Sequence, residues 1–280
     1  MRRRKRRGKA FKRLILFLIM VPAAVWLLVR VSVQSDTTVE YVPVDSSVST
    51  QTGDEAAPVP TAEVVWTYPE GYVDLSDLPD VDLSTWEFTL VNALDQENYI
   101  RDSFVPQLAN VEGFQVRVDV DGPLQEFLTA ARNAGFTVNI SRAYMSYYEI
   151  SYKFNGVASG LADGQGMDYA AAVEKAKTVT HYPGTDEHQL GVAVNFVDGE
   201  GNWQASSPAM KWMAEHCHEY GFILRYPMGC SEDTGWEYTP NQFRYVGKEA
   251  AAYIMEKGIC LEEFLDAYKK AKEYEFLHGN

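Results

Sequence analysis

The sequence predicts an α+β fold, in which a small, mainly antiparallel sheet packs against helices. From about residue 86 onward, stretches with apolar residues three and four apart are interspersed with short apolar runs of period two. The first pattern is typical of amphipathic helices and the second of half-buried strands, and their mixed order indicates an α+β domain. With 280 residues and 46% hydrophobic composition, the chain can build the core of one or two globular domains.

Six segments are predicted to be helical. The best-marked one has Asp121 as a cap and Pro123 in its first turn, and it stops before Gly135. Leu124 and Leu128 lie on its apolar face. A glycine-rich loop is expected between the second and third helices. The predicted helices cover residues 123–133, 146–154, 167–179, 208–220, 248–257 and 261 to about 274.

Four segments are predicted to form strands, at residues 88–92, 137–141, 192–196 and 236–246. The third is a short alternating run that follows a Pro-Gly turn. The fourth contains Pro240, which suits a bend or an edge because proline cannot donate to a strand ladder.

The charge is divided unevenly along the chain. Residues 1–30 hold ten of the 25 lysines and arginines and none of the 39 acids, so the remainder carries 15 basic and 39 acidic residues. Nucleic-acid affinity depends on neutralising phosphates with basic side chains. The acidic body is therefore not expected to bind nucleic acid.

An apolar run follows the basic N-terminal cluster, from residue 14 to 29, and Val31 and Val33 extend it. With snorkelling arginines at its ends it is long enough to cross a bilayer, and the basic cluster predicts a cytoplasmic N-terminus. We expect a cytoplasmic tail at 1–13, a transmembrane signal anchor at 14–33, a flexible extracytoplasmic stalk at 34–63 and a folded domain at 64–280. This predicts a single-pass cell-membrane protein whose C-terminal domain lies outside the cytoplasm. A cleaved signal peptide is the alternative.

The three cysteines, Cys217, Cys230 and Cys260, are too few for a disulfide framework. One pair could close outside the cell, but the odd count leaves at least one thiol. Their spacing does not resemble a zinc ribbon.

Two stretches concentrate the polar residues of interest. Residues 182–196 read Y-P-G-T-D-E-H-Q-L-G-V-A-V-N-F and contain His188 and Asn195, seven positions apart. Residues 238–247 read Y-T-P-N-Q-F-R-Y-V-G and contain Thr239 and Gln242.

These stretches, with several others in the same order, resemble the VanY-type D-alanyl-D-alanine carboxypeptidases. The family consists of zinc peptidases that trim the terminal D-alanine from peptidoglycan stem peptides, so the resemblance implies a VanY-type core. The similarity runs from about residue 88 to 264. The matching segments are L-V-N (90–92), A-A-R-N-A-G-F (130–136), P-G-T-D-E-H-Q-L-G-V-A-V (183–194), E-Y-G-F-I-L-R-Y-P (219–227), F-R-Y-V-G (243–247) and G-I-C-L-E-E-F (258–264).

The family's chemical residues are altered at several of the matching positions. The pattern H-x-x-G-x-A-x-D, which supplies two zinc ligands, keeps His188 but has Asn195 in place of aspartate. The pattern E-P-W-H, which supplies the general base and the third ligand, has Thr239 and Gln242 at those two positions. The substrate-binding pattern S-x-Y-R-S aligns with residues 142–146, which places Met145 at the arginine.

The alterations predict that the domain has lost hydrolysis and binds a peptidoglycan stem peptide, or a cell-wall or membrane protein partner, without a cofactor. Neutral amides are poor zinc ligands, and threonine cannot act as a carboxylate base. The alternative is an active zinc D,D-carboxypeptidase with relocated ligands and base, for which Glu237 is a candidate base. A tethered structural protein with no ligand is a third hypothesis. Further candidate substitutes are Asp186, Glu187, Asp198 and, near Met145, Arg142.

Four residues are candidates for contact with a bound peptide. Tyr144, Met145 and Ser146 lie in the substrate-binding pattern that the resemblance implies, and Arg244 could line a residual groove. Aromatic core packing is an equally good interpretation of the tyrosine.

Overall fold

The computed structural model describes residues 75–92, 94 and 99–278. The predicted tail, anchor and stalk at 1–13, 14–33 and 34–63 lie outside these residues. Within the described ranges, no helix is both long and apolar enough to cross a membrane.

The described chain forms two antiparallel sheets and seven α-helices, which confirms the predicted α+β class with small antiparallel sheets. Short 3-10 turns, including Glu187–Leu190 and Cys217–Tyr220, lie between several of these helices and strands. In chain order the elements are β1 (Leu108–Val111), β2 (Phe114–Arg117), α1 (Asp121–Asn133), β3 (Val138–Arg142), α2 (Tyr147–Gln165), α3 (Tyr169–Ala176), β4 (Ala193–Asp198), α4 (Pro208–His216), β5 (Phe222–Tyr226), α5 (Ser231–Thr234), β6 (Thr239–Tyr245), α6 (Lys248–Lys257) and α7 (Leu261–His278).

The larger sheet has the strand order β3-β4-β6-β5, and all of its pairs are antiparallel. Because side chains alternate along a strand, each face of this sheet carries its own residue set. Val194, Phe196 and Phe243 lie on the face that packs against α1 and α4. Phe127 of α1 stands at the centre of that core and contacts the rings of Phe196, Trp212, Tyr220, Phe222 and Phe243. The opposite face carries the polar residues Asn195, Gln242 and Arg244 together with Ala193 and Ile223.

A second apolar cluster joins α6 and α7 to the start of the described chain. Ile223 of β5 and Val246, the residue after β6, contribute to it, and Phe264 of α7 packs beside Phe88. This cluster holds the 3-10 turn Trp86–Phe88 against the back of the site described below.

Two predictions about local structure are wrong. Residues 88–92 do not form a strand, because the segment begins as the 3-10 turn Trp86–Phe88 and continues without ladder pairing. The glycine-rich loop expected after residue 154 is helical, because α2 continues to Gln165. A capping box at Ser146 and Glu149 starts α2, and burial of Phe154 and Ala158 against α3 offsets the low helix propensity of its glycines.

Candidate functional site

His188 is held in the 3-10 turn Glu187–Leu190, between helix α3 and strand β4. Asp186 caps this turn, because its carboxylate accepts a hydrogen bond from the backbone N–H of His188 at 3.0 Å. Gly191 ends the turn with a φ of 73°, and β4 begins two residues later. The chain can therefore turn sharply and bring His188 beside the strand that follows it.

Gly191 is required here for both its conformation and its small size. A Cβ at this position would lie 2.9 Å from the backbone N of Arg117, whose N–H donates to the Gly191 carbonyl. We expect Gly191→Ala to lower the free energy of unfolding by more than the ~1–2 kcal/mol that a left-handed residue with a side chain costs. Urea denaturation measures the loss.

The matched control is Gly166→Ala, at the left-handed C-cap of α2, where an added Cβ meets nothing within 4 Å. This variant should lose only the free energy of unfolding that a side chain costs at a left-handed position. If Gly191→Ala and Gly166→Ala lowered the free energy of unfolding equally, a steric role for Arg117 would be contradicted.

Both ring nitrogens of His188 have oxygen partners, and the side chain is fully buried. Nδ1 lies 2.6 Å from Oδ1 of Asp186, and Nε2 lies 2.7 Å from Oδ1 of Asn195. The amide oxygen can only accept a hydrogen bond, so Nε2 donates to it. A nitrogen that donates in this way has no lone pair to offer a metal ion.

The other two family ligand positions lie directly opposite each other in the sheet, where Asn195 of β4 pairs with Gln242 of β6. Nδ2 of Asn195 makes a long contact of 3.5 Å to Oδ1 of Asn241, and Nδ2 of Asn241 donates to the Phe196 carbonyl at 2.9 Å. Nε2 of Gln242 is buried, and no residue in the described part of the chain accepts a hydrogen bond from it. The structure thus brings the three predicted positions to one place.

This donor set does not fit a zinc ion. A catalytic zinc site takes three protein ligands from thiolate, imidazole and carboxylate groups and keeps an open position for water. Asn195 and Gln242 supply neutral amides, and the one imidazole, His188, is bonded on both nitrogens. Asp186, a candidate substitute ligand, is already bonded to His188. Its Oδ1 contacts both the backbone N–H and the Nδ1 of that histidine.

No carboxylate takes the family's base position. Thr239 begins β6, and its hydroxyl donates to the backbone carbonyl of Glu237 at 3.0 Å. The Glu237 side chain is exposed, and within the described part of the chain it makes no hydrogen bond or ion pair with His188, Asn195 or Gln242. The relocated base therefore remains a prediction without a supporting contact.

The segment 144–146 joins β3 to α2 beside the His188 turn. Met145 donates its backbone N–H to the His188 carbonyl at 3.2 Å, and Tyr144 donates its own to the Gln115 carbonyl. The Ser146 hydroxyl caps α2 and donates to Oε2 of Glu149 at 2.7 Å. Burial raises the pKa of the half-buried Tyr144. Met145 thus contacts the His188 turn through its backbone, whereas the Ser146 side chain is engaged in helix capping.

The structure corrects the prediction that Arg244 binds substrate. This side chain is fully buried, its Nη1 donates to Glu187, and its Nη2 donates to the carbonyls of Glu87 and Thr89 at 2.9 and 2.7 Å. Arg244 therefore holds the first described segment against the sheet.

Arg244 belongs to a buried ionic cluster that the sequence did not reveal. Glu187, which precedes His188, also accepts from Nε of Arg225 at 2.7 Å, and Arg225 makes a two-bond pair with Glu262 of α7. Burial opposes ionisation of Glu187, but its contacts with Arg225 and Arg244 outweigh burial and lower its pKa. Glu187, a candidate substitute ligand, is thus already paired with Arg225 and Arg244.

Cys230, Cys260 and Glu263 form a second group of possible metal donors, with ligand atoms all within 4.8 Å of one another. Glu263 has a structural role there, because its Oε2 accepts from the backbone N–H of Cys260 at 2.8 Å at the start of α7. Burial raises the pKa of both thiols. Metals bind the thiolate, so a metal ion here would have to displace a proton from each buried thiol.

Similarity to known proteins shows which family this site comes from. The model of the family VanY, D-alanyl-D-alanine carboxypeptidase, matches residues 113–248. A D-alanyl-D-alanine carboxypeptidase of Enterococcus faecalis is 33% identical over 188 residues, which are 67% of this chain and 69% of that protein. The chain belongs to the VanY D-alanyl-D-alanine carboxypeptidase family. The family resemblance predicted from the sequence is confirmed.

Two solved VanY structures resemble the described domain. A mutant of the vancomycin-resistance D,D-pentapeptidase VanY from the VanB-type cassette, in complex with Zn(II), is 31% identical with a TM-score of 0.57, and the match covers 65% of this chain and 99% of that one. VanYB in complex with D-alanine-D-alanine is also 31% identical, with a TM-score of 0.58 and coverage of 65% and 98%. The VanY scaffold is thus present here with amides at two ligand positions.

Proposed function

We propose that this chain is a membrane-anchored extracytoplasmic protein whose VanY domain binds peptidoglycan stem peptides without hydrolysing them. The observation that carries the proposal is the contact between Nε2 of His188 and Oδ1 of Asn195 at 2.7 Å. It leaves the family's one remaining ligand without a free lone pair. Zinc acidifies a bound water and polarises the carbonyl, and without it the family reaction has no means of activating water.

The family relationship supports the choice of ligand. VanYB has been solved with D-alanine-D-alanine, and the described domain covers nearly all of that protein. Met145, in the segment that aligns with the family's substrate-binding pattern, still contacts the His188 carbonyl through its backbone N–H. The N-terminal basic cluster and the apolar run at 14–33 support the anchoring part of the proposal.

The proposal is tested with the full-length chain purified in detergent. We expect no stoichiometric zinc by elemental analysis and no D-alanine release from a pentapeptide ending in D-alanine-D-alanine, but saturable binding of that pentapeptide by calorimetry. Stoichiometric zinc together with D-alanine release that His188→Ala abolishes would establish the active peptidase instead. Absence of both binding and release would favour a tethered structural protein.

A further inference from the structure

Two of the three cysteines lie together where helices α5 and α7 begin. Cys230 is the residue before α5, and Cys260 is the residue before α7. Their sulfurs and a carboxylate oxygen of Glu263 all lie within 4.8 Å of one another. Sγ of Cys230 is 3.7 Å from Oε2 of Glu263, the atom that also accepts from the backbone N–H of Cys260. The fold thus brings two thiols side by side from distant parts of the sequence.

Hydrogen bonds that do not involve sulfur also join the two segments. Nδ2 of Asn92 donates to the Asp233 carbonyl in α5 at 2.8 Å and to Oε1 of Glu262 in α7 at 2.9 Å. The Thr234 hydroxyl donates to the Cys230 carbonyl at 2.8 Å and closes the turn of α5. A disulfide requires its two sulfurs to lie about 2 Å apart. Rotation of a cysteine side chain about its Cα–Cβ bond moves the sulfur while this backbone stays in place.

The two thiols differ in how well a reagent can reach them. Cys230 is 6% exposed and Cys260 is 1% exposed. Burial raises the pKa of both thiols, and at Cys230 a hydrogen bond from the Cys260 thiol acts against burial. The thiolate is the species that attacks a disulfide. Cys230 is therefore the thiol expected to react first, with Cys260 behind it.

The third cysteine belongs to a different part of the molecule. Cys217 is fully buried in the core between the larger sheet and α4. Its thiol donates to the Ala214 carbonyl at 3.4 Å, within its own helical segment. Cys217 is not a member of the group that contains Cys230 and Cys260.

We propose that Cys230 and Cys260 are a covalent modification site, at which a small-molecule disulfide oxidant links the starts of α5 and α7. The Cys230 thiolate attacks one sulfur of the oxidant, which forms a mixed disulfide and releases the first oxidant thiol. The Cys260 thiolate then attacks the Cys230 sulfur, which forms the protein disulfide and releases the second oxidant thiol. Two protein thiols are oxidised, and the oxidant is reduced to two thiols that take up the two protons.

The cross-link has a structural consequence close to the candidate site. Glu262 follows Cys260 by two residues and makes the two-bond pair with Arg225, which also donates to Glu187 beside His188. A bond at Cys260 holds the first turn of α7 in the position that this pair requires. Disulfides persist in oxidising compartments outside the cytoplasm. The inference thus uses the proposed location but not the proposed peptide binding, so either can fail without the other.

Thiol counting on the full-length chain in detergent tests the cross-link, with oxidised glutathione as the probe. The reduced protein, unfolded in guanidinium, should show all three thiols, and the oxidised protein should show one. A digest without reductant should contain the Cys230 peptide joined to the Cys260 peptide. The control Cys217→Ala should still lose two thiols. Cys260→Ser should instead keep glutathione attached to Cys230, because no second thiol is there to release it.

The melting temperature gives an independent measurement. The oxidised wild type should melt roughly 5–15 °C above the reduced protein, because the bond closes a loop of about 30 residues in the unfolded chain. In Cys230→Ser the oxidant should leave the melting temperature unchanged.

Three outcomes would overturn the proposal. The first is a count of three thiols after oxidation, and the second is a linkage that includes Cys217. The third is a bound metal ion, found by elemental analysis, that protects Cys230 and Cys260 from both glutathione and alkylation. In that case the group would be a metal site instead of a cross-link.

Discussion

Restoring the family's side chains should give this chain a zinc site. The Asn195→Asp, Gln242→His double variant is expected to bind about one zinc ion per chain, because His188 would then be joined by a carboxylate and a second imidazole. The register that pairs residues 195 and 242 already places these positions side by side. Adding Thr239→Glu should raise D-alanine release by about 10²–10⁴-fold over the double variant, the usual contribution of a general base. Elemental analysis and a D-alanine assay measure the two steps.

The control for this series is His188→Ala introduced into the restored protein. It should abolish both zinc binding and activity, since only two ligands would remain. The explanation of the lost reaction would be contradicted if the wild type held a full equivalent of zinc. It would also be contradicted if the double variant held none while remaining folded.

Glu187→Gln should strongly destabilise the domain. Glu187 is the fully buried carboxylate between Arg225 and Arg244, and the substitution leaves two buried guanidinium groups without their shared counter-charge. Removing one member of a buried ion pair costs about 3–5 kcal/mol. In a domain of this size that corresponds to a fall in melting temperature of roughly 10 °C, measurable by calorimetry.

The matched control is Glu112→Gln, which breaks the half-exposed pair with Arg132 and should cost less than about 1 kcal/mol. The pKa of Glu187 is lowered in the folded state, so its contribution is present above the unfolded pKa and is lost as the pH falls through the folded pKa. The difference in free energy of unfolding between the wild type and Glu187→Gln should therefore become smaller at acidic pH. Equal losses for the two glutamine variants would contradict the role of the buried cluster.

Periodicity and end signals predicted several helices well. The helix after Asp121 and the one that ends at Gly258 agree closely with α1 and α6. The hairpin of β1 and β2 was not predicted, because each strand has only four residues and β1, L-A-N-V, has no alternation, although β2, F-Q-V-R, does alternate. The predicted strand at 88–92 is wrong: the carbonyl of Thr89, like that of Glu87 just before the segment, accepts from a distant side chain, Arg244, instead of a neighbouring strand.

Motif spacing predicted where the site lies but not how it is supported. His188, Asn195 and Gln242 could be identified in the sequence, and the structure brings them together. The burial of Arg225 and Arg244 could not be predicted, since arginine is rarely fully buried without a partner. That partner, Glu187, is only one residue from His188. Local spacing does not show that arginines from two strands distant in sequence, β5 and β6, bind to it.

The ionic cluster also determines how small a working fragment of this protein can be. The segment that the family model matches, residues 113–248, contains Arg225 and Arg244 but excludes the Glu87 and Thr89 carbonyls and the Glu262 carboxylate. A fragment trimmed to these limits would carry two guanidinium groups in its interior with three of their four acceptor groups cut away. Crystallisation or binding studies on this domain need a chain that runs at least from residue 87 to residue 262.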